Sequence, residues 1–146
     1  MNLITLDFET YYDTTLSLGK MSTVQYVQHD DFKVWGVGVK YNDEPTTWIS
    51  EAECKDFLQE IDWEDAQLVC HNTLFDAYIL TQVFGVYAKY YYDTAAMSRG
   101  LFPNESARLK DVSIRLFPRD PSMRKGEELV NAKGIRDLDP QLDEEI

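Results

Sequence analysis

The sequence predicts an α/β domain built on a mixed sheet, and two observations support this prediction. Three strand patterns come first in the chain, and helix patterns then alternate with strand patterns. Consecutive strands indicate an antiparallel meander, whereas strands separated by helices indicate parallel pairing. The length of 146 residues and the 44% of hydrophobic residues fit one globular domain.

Strand patterns are either alternating apolar and polar residues or short apolar runs. The predicted strands span residues 2–9, 32–41, 46–50, 67–71 and 90–94. The predicted helices span residues 51–61, 74–84, 95–101 and 106–117. From residue 118 onward the chain is polar and proline-containing, with a weak helical pattern only near 126–133.

Two of the predicted helices carry a capping signal at their start. Ser50 is followed three residues later by Glu53, which predicts a capping box. Asp93 or Thr94 is expected to cap the helix that follows the fifth strand.

Charge is distributed unevenly, although the net charge is -12 at pH 7. Residues 1–98 hold 16 acidic and 5 basic residues, whereas residues 99–136 hold 5 acidic and 9 basic ones. The basic segment predicts either phosphate contacts or a solvated helical surface, and charge alone favours the solvated surface. The candidate phosphate contacts are Arg99, Arg108, Lys110, Arg124, Lys125 and Lys133.

Membrane and secreted classes find no support in the sequence. No apolar run reaches the ~18 residues of a membrane span, and the amino terminus lacks the pattern of a signal peptide. Cys54 and Cys70 form no CxxC pair and have no second ligand at metal spacing. We therefore expect reduced, partly buried thiols in a cytosolic protein that is not secreted.

The first strand carries two carboxylates in the stretch LITLDFETYYD. Asp7 and Glu9 are two residues apart and share one face, while Leu6 and Phe8 share the other. Two carboxylates on one face are costly to bury without a cation, and their oxygens suit Mg²⁺. A surface strand whose acids face water is the simpler alternative, and for this pair alone it is favoured.

A third acid, Asp76, lies in the stretch LVCHNTLFDAYIL, just after the fourth strand. The helix dipole favours a carboxylate in a first turn, which is a sufficient structural reason for an acid there. A strand-to-helix junction is also where α/β folds place their sites. The first-strand pair combined with Asn72 and Asp76 is much rarer than either part.

The stretches LDFETYYD and LVCHNTLFDAYIL resemble the first two motifs of the DEDD 3′→5′ exonucleases, also called the DnaQ-like family. That family has a ribonuclease H-like fold with a five-stranded mixed sheet, in agreement with the predicted element order. The segments KMSTVQYVQHDDFKVWGVGVKY, YYYDTAAMSRGLF and GEELVNAKGIRDL extend the resemblance over essentially the whole chain. The sequence of these segments is most similar to that of the amino-terminal proofreading domain of phage family A DNA polymerases.

The resemblance implies a role for each acid. Asp7 would bridge two Mg²⁺ or Mn²⁺ ions, Glu9 would bind one of them, and Asp76 would bind the other. The reaction would be hydrolysis of the last phosphodiester at a single-stranded DNA 3′ end, with release of a nucleoside monophosphate. A polymerase domain, in the same chain or a separate one, would be the partner, in the cytoplasm of the host cell.

The fourth Asp of the family, within Tyr-x-x-x-Asp or His-x-x-x-x-Asp, has no counterpart. No Tyr or His follows residue 95, so Asp137, Asp139 and Asp143 have no such residue at the required offset. We therefore expect residues 1–146 to form one exonuclease-like domain whose last catalytic helix lies beyond residue 146. Low activity of the isolated chain and self-association through the incomplete edge are the expected consequences.

Side chains near the acids are expected to bind the substrate, because bases of single strands stack on aromatic rings. These candidates are Phe8, Thr10, Tyr11, His71, Asn72 and Phe75. Core packing is the alternative for Tyr11 and is favoured for Phe75, and a plain strand-end position beside the site is favoured for His71.

Two other functions stay open. One is a non-catalytic ribonuclease H-like module that binds single-stranded DNA or a polymerase, and the other is an exonuclease acting on RNA or oligonucleotides. The intact pair of Asp7 and Glu9 favours an enzyme, whereas the lack of the fourth Asp favours the binding module.

Overall fold

The computed structural model describes residues 1–123 and 132–138 of the chain. Its elements in chain order are β1 (Asn2–Thr10), α1 (Thr23–Val27), β2 (Val34–Tyr41), β3 (Thr47–Ser50), α2 (Glu51–Glu60), β4 (Ala66–Cys70), α3 (Thr73–Gln82), β5 (Tyr90–Asp93), α4 (Thr94–Leu101) and α5 (Leu109–Leu116). Two short 3₁₀ turns lie at Trp63–Asp65 and Pro121–Met123. Over the described ranges, no helix has the length and apolar character needed to cross a membrane.

The five strands form one sheet in the order β3-β2-β1-β4-β5. The strands β1, β2 and β3 pair antiparallel, as a meander does. The strand β4 runs parallel to β1, and β5 runs parallel to β4. The predicted fold class, an α/β domain with a ribonuclease H-like mixed five-stranded sheet, is therefore confirmed.

One face of the central strand β1 packs into the core. Ile4, Leu6 and Phe8 alternate along the strand and are each at most 2% exposed. The helix α3 packs against β1 and β4, and α2 packs against β2 and β3, with Ile79 and Leu58 fully buried in the same core. Burying each large apolar side chain contributes ~1.5–3 kcal/mol, so this layer holds β1 at the centre of the sheet.

Both cysteines belong to this core. Cys54 and Cys70 are buried and form no disulfide. Burial raises the pKa of the Cys54 thiol to about 12, and it also raises the pKa of the Cys70 thiol. The two thiols are therefore protonated and unreactive in the folded chain.

The helix α1 was not predicted. It begins with a capping box. The backbone N–H of Gln25 donates to Ser22 Oγ at 3.3 Å, and the backbone N–H of Ser22 donates to Gln25 Oε1 at 3.0 Å. Its five residues are too few to show apolar periodicity. The Ser-x-x-Gln spacing was therefore the one local signal that could have revealed it.

The capping box predicted at Ser50 is wrong, although α2 does begin at Glu51. The Ser50 hydroxyl donates to the Glu53 carboxylate, with 2.9 Å between Oγ and Oε2, and accepts no backbone N–H of α2. A hydrogen bond to an ionised acceptor is stronger than one to a neutral group, which favours this rotamer.

Helix ends differ from the prediction by a few residues. The helix α3 ends at Gln82 rather than at 84, and α5 begins at Leu109 rather than at 106. Residue 107 precedes the helix, and its carbonyl accepts a hydrogen bond from His71 Nε2. The weak helical pattern over 126–133 falls mostly outside the described residues.

Candidate functional site

Asp7 and Glu9 leave β1 on the face opposite to the core, as the alternation predicted. Asp7 is exposed and Glu9 is half-buried. Glycines face them on β2, with Gly38 beside Asp7 and Gly36 beside Glu9, so no β2 side chain fills the adjacent space. A pocket of about 250 Å³ opens there, which we call the acidic pocket; it is lined by Thr5, Asp7, Glu9, Gly38, Lys40, Thr46 and Trp48.

Asp76 lies in the first turn of α3 and is only 2% exposed. The chain turns from β4 into α3 at Asn72, which adopts a left-handed φ of 76° that asparagine tolerates better than most residues. This turn places Asp76 against the middle of β1, where its Oδ1 accepts a hydrogen bond from the Phe8 amide at 2.9 Å. The Asp76 carboxyl is thus fixed at the residue between Asp7 and Glu9.

The environment of Asp76 disfavours a bare negative charge. Burial is the main cause that raises the pKa of the Asp76 carboxyl to about 8. The hydrogen bond from the Phe8 N–H lowers this pKa only in part, and the negative charge of nearby Asp7 raises it further. Without a cation this carboxyl is therefore mostly protonated at neutral pH. A cation close to Asp7 and Asp76 would favour the ionised form and reverse the shift.

The donor chemistry of these acids fits Mg²⁺ or Mn²⁺, which prefer hard oxygen ligands. Within residues 1–123 and 132–138, however, no three Asp, Glu, His or Cys side chains meet closely enough to hold a metal ion. Asp7 and Asp76 are near enough to influence each other, but the two do not form a three-ligand site with Glu9. Metal binding by Asp7, Glu9 and Asp76 stays a prediction.

A second pocket, of about 350 Å³, also borders Glu9. We call it the aromatic pocket; it is lined by Phe8, Glu9, Thr10, Tyr12, Ser17, Leu18, Tyr26, Trp35 and Phe75. Aromatic and apolar side chains dominate this lining, and it contains no Lys or Arg from the described ranges. Such a pocket suits an uncharged aromatic ring, of which a nucleobase is one example.

A β-bulge shapes the aromatic pocket. Glu9 pairs with Gly36 but the next residue, Thr10, pairs with Val34, so that Trp35 is an extra residue in β2. Bulges redirect side chains, and this one places the Trp35 indole in the pocket lining. The Thr10 hydroxyl lies 2.8 Å from the Tyr26 hydroxyl, which ties α1 to the end of β1.

Three of the predicted substrate-binding residues line the aromatic pocket: Phe8, Thr10 and Phe75. Tyr11 is not in the lining, since its ring packs edge-on against Trp35 and its hydroxyl donates to Asp13 Oδ2 at 2.8 Å. The lining residues Tyr26 and Trp35 were not predicted. Their positions depend on the missed helix α1 and on the bulge, and only the capping signal of α1 was visible in the sequence.

His71 and Asn72 line neither of these two pockets. The His71 ring lies 2.9 Å from Thr94 Oγ1 through Nδ1 and 2.8 Å from the Ala107 carbonyl through Nε2. It therefore ties the end of β4 to the start of α4 and to the segment before α5. The backbone N–H of Asn72 donates to Asp93 Oδ1 at 3.0 Å.

Asp93 caps α4, which confirms the predicted cap. Its Oδ1 accepts hydrogen bonds from the amides of Ala95 and Ala96 at 2.9 and 3.3 Å. Burial alone would raise the pKa of the Asp93 carboxyl, but the backbone N–H groups of Asn72, Ala96 and Ala95 outweigh burial and lower it. Asp93 is thus fully engaged with backbone at the end of β5.

The candidate phosphate contacts lie elsewhere. Arg99, Arg108, Lys110 and Lys133 are exposed, and none of them lines the acidic or the aromatic pocket. Arg124 and Lys125 lie outside the described residues.

No family model matches the chain, and no curated protein matches it in sequence. A solved structure described as the "apo form of the nuclease" is similar in fold, with a TM-score of 0.67, 19% sequence identity and coverage of 97% of this chain. The chain spans 63% of the length of that structure. At this identity the likeness establishes the fold, which is the mixed five-stranded α/β arrangement described above.

Proposed function

We propose that the chain is a metal-dependent 3′→5′ exonuclease domain that acts on the 3′ end of single-stranded DNA. The observation that carries this proposal is the position of Glu9, which borders both the acidic pocket and the aromatic pocket. A terminal nucleotide with its base in the aromatic pocket would present its phosphate to the carboxylates of Asp7 and Glu9. The fold similarity to a nuclease supports the proposal at the level of architecture.

The carboxylates of Asp7, Glu9 and Asp76 would hold the metal. Bound Mg²⁺ or Mn²⁺ would supply a hydroxide nucleophile near neutral pH and stabilise the leaving 3′-oxygen. The Phe8 N–H holds the Asp76 carboxyl in one orientation at the middle of β1. That carboxyl would lose its proton as a cation arrives, because an opposite charge favours the ionised form.

The aromatic pocket would bind and orient the terminal nucleoside. The ring of Phe8 stacks on that of Phe84, with 5.6 Å between centroids and 10° between planes, so Phe84 supports this part of the lining. Glu9 is the one ionisable carboxylate in the lining, and no Lys or Arg of the described ranges joins it. The pocket therefore favours a base over a phosphate, and a base can enter it only when unpaired.

The resemblance to phage polymerase proofreading domains extends the proposal. The products would be nucleoside monophosphates, the biological role would be removal of mispaired 3′ ends, and the partner would be a polymerase domain in the same or a separate chain. The fourth Asp motif of that family has no counterpart in residues 1–146. We therefore expect low activity from this chain alone, unless another segment or subunit supplies a carboxylate.

A non-catalytic module that binds single-stranded DNA or a polymerase is the second candidate. The observation that favours it is that the described parts of the chain bring no three metal-ligating side chains together. In that case the aromatic pocket would hold a base without cleavage of the strand.

Digestion of 5′-labelled single-stranded and 3′-recessed DNA, first with Mg²⁺ and then with Mn²⁺, tests the proposal. A metal-dependent ladder that shortens from the 3′ end and disappears in Asp7→Ala supports the exonuclease. Asp43→Ala removes an exposed acid in the turn between β2 and β3 and should cut like the wild type. Binding of the labelled strand without shortening in either metal would favour the binding module instead.

A further inference from the structure

Residues 132–138, which we call the strap, contact the wall of the aromatic pocket from far away in the sequence. The Gly134 amide donates to the Tyr12 carbonyl at 2.8 Å. The Trp35 indole N–H donates to the Arg136 carbonyl at 3.0 Å. The strap is thus hydrogen-bonded directly to two residues that line the pocket.

The side chain of Arg136 adds a third connection to this wall. Its guanidinium carbon lies 5.5 Å from the centroid of the Tyr11 ring, and its Nη1 donates to the Asp31 carbonyl at 3.1 Å. The Tyr11 ring in turn packs edge-on against Trp35, as does the ring of Tyr12, at centroid distances of 6.4 and 6.3 Å. Arg136 therefore orients the ring of Tyr11, which supports the pocket wall.

The strap is also anchored where β2 begins. Asp137 pairs with Lys33, whose ammonium lies 3.0 Å from the Glu51 carboxylate. The Lys33 carbonyl accepts the Tyr11 amide at 2.9 Å, so this anchor joins the end of β1 as well. Because the Asp137 side chain is 81% exposed, and ion pairs with an exposed partner contribute little, we assign the main effect of the strap to Gly134 and Arg136.

We infer that the strap sets the affinity of the aromatic pocket for the terminal nucleoside, with Arg136 as a positioning residue. This inference deepens the proposed function and depends on it for the identity of the ligand. Release of the strap would leave the Trp35 N–H and the Tyr12 carbonyl without these partners and free the two side chains to reorient. A wall that is ordered before binding loses less conformational freedom when a base enters, and so binds it more tightly.

Calorimetric titration with thymidine 5′-monophosphate in Mg²⁺ tests the role of Arg136. Arg136→Ala should weaken binding about three- to tenfold, because a pocket wall that has lost this support must be ordered when the nucleotide binds. In DNA digestion the same variant should raise KM and leave kcat unchanged, because it alters binding rather than the reacting groups. Arg136→Lys keeps a cation for the Tyr11 ring and a donor for the Asp31 carbonyl, and should recover most of the affinity.

A second variant tests the strap without removing a side chain. Gly134 has a φ of +79° and no atom within 4 Å of an added Cβ, so Gly134→Ala strains only the backbone of the strap. Gly85, in the turn after α3, has a φ of +67° and equally open surroundings, which makes Gly85→Ala the matched control. Gly134→Ala should weaken nucleotide binding and Gly85→Ala should not, at a temperature where circular dichroism shows both variants folded.

The outcomes separate this inference from the proposed function. Unchanged affinity in Arg136→Ala, equal losses in the two glycine variants, or a wild type that binds no thymidine 5′-monophosphate would each overturn the inference. Weakened binding in the strap variants, with no shortening of DNA by the wild type, would uphold the inference and favour the non-catalytic binding module over the exonuclease. Shortening of DNA with unaltered KM and affinity in the strap variants would uphold the exonuclease and overturn the inference.

Discussion

Asp76 carries a carboxyl that the fold buries against β1 without a basic partner among the described residues. Its pKa is about 8 in the folded chain, mainly because of burial, against an ordinary value of 3.8. Between these values the folded state retains a proton that the unfolded state has released. The contribution of Asp76 to the free energy of unfolding should therefore fall as the pH rises from about 4 to about 8, by at most ~1.4 kcal/mol per pH unit.

Asp76→Asn should remove this pH dependence. The amide cannot ionise, yet its oxygen can still accept the Phe8 N–H. In urea unfolding at pH 5, 6, 7 and 8 with EDTA, the wild type should lose stability relative to the variant as the pH rises. Added Mg²⁺ should flatten the wild-type profile, since a cation restores the ionised form. Parallel profiles of the two proteins in EDTA would contradict the raised pKa.

Gly36 and Gly38 provide a second test at the scale of single residues. A Cβ on Gly36 would lie 2.3 Å from Trp48 Cζ2 and 2.6 Å from the Ile49 carbonyl oxygen, whereas the nearest atom to a Cβ on Gly38 is Thr46 Cγ2 at 3.7 Å. Gly36→Ala should lower the free energy of unfolding by ~1–3 kcal/mol because the backbone must shift. Gly38→Ala, on the same strand, should change it by less than ~1 kcal/mol. Equal effects in urea unfolding would show that β3 does not pack this closely on β2.

Local periodicity explains which site residues could be predicted. The alternation of β1 places Asp7 and Glu9 opposite Leu6 and Phe8, because period two is a property of any strand. Trp35 could not be predicted in the pocket, because a bulge arises from the pairing of two strands and leaves no signal in either one alone.

At the scale of elements, the starts of helices also separate what a sequence pattern predicts from what only the folded structure decides. Asp93 was predicted as a cap and is one, since its carboxylate meets the first amides of α4. Ser50 matched the same kind of signal, but its hydroxyl donates to Glu53 instead. A spacing rule identifies the residue types at a helix start, whereas the rotamer decides which hydrogen bond forms.

Asp93→Ala and Ser50→Ala should therefore differ in their effect on stability. Loss of the Asp93 side chain leaves the amides of Ala95 and Ala96 without an acceptor and should cost ~1–2 kcal/mol. Ser50→Ala removes a hydroxyl that caps nothing and should change the free energy of unfolding by less than ~0.5 kcal/mol. Urea unfolding of the two variants measures both values. A cost for Ser50→Ala as large as that for Asp93→Ala would mean that Ser50 caps α2 in solution.

At the scale of the whole molecule, the element order predicted the sheet but not the pockets. The meander and the alternating units predict a mixed five-stranded sheet, and the structure adds the strand order β3-β2-β1-β4-β5. The aromatic pocket instead depends on contacts between distant segments, such as that of Arg136 with Trp35. The basic segment, read from composition, supplies no side chain to either pocket within the described ranges.

The net charge of -12 makes divalent cations the natural test of the whole site. A ligand that binds only the folded state stabilises it, by ~2.7 kcal/mol at a concentration one hundred times its Kd. For a chain of this length, Mg²⁺ or Mn²⁺ should then raise the melting temperature of the wild type by about 5–10 °C. The Asp7→Ala variant should lose most of this increase, because it removes a predicted ligand.

Non-specific screening is the competing explanation, because any salt reduces repulsion among the acids. Screening depends on ionic strength, so KCl at matched ionic strength should then raise the melting temperature as much as MgCl₂ does. It would also act equally on Asp7→Ala and on Asp43→Ala, since each removes one exposed acid. A shift that is larger in MgCl₂, preserved in Asp43→Ala and lost in Asp7→Ala would identify a site; equal shifts in both salts and both variants would leave only a diffuse acidic surface.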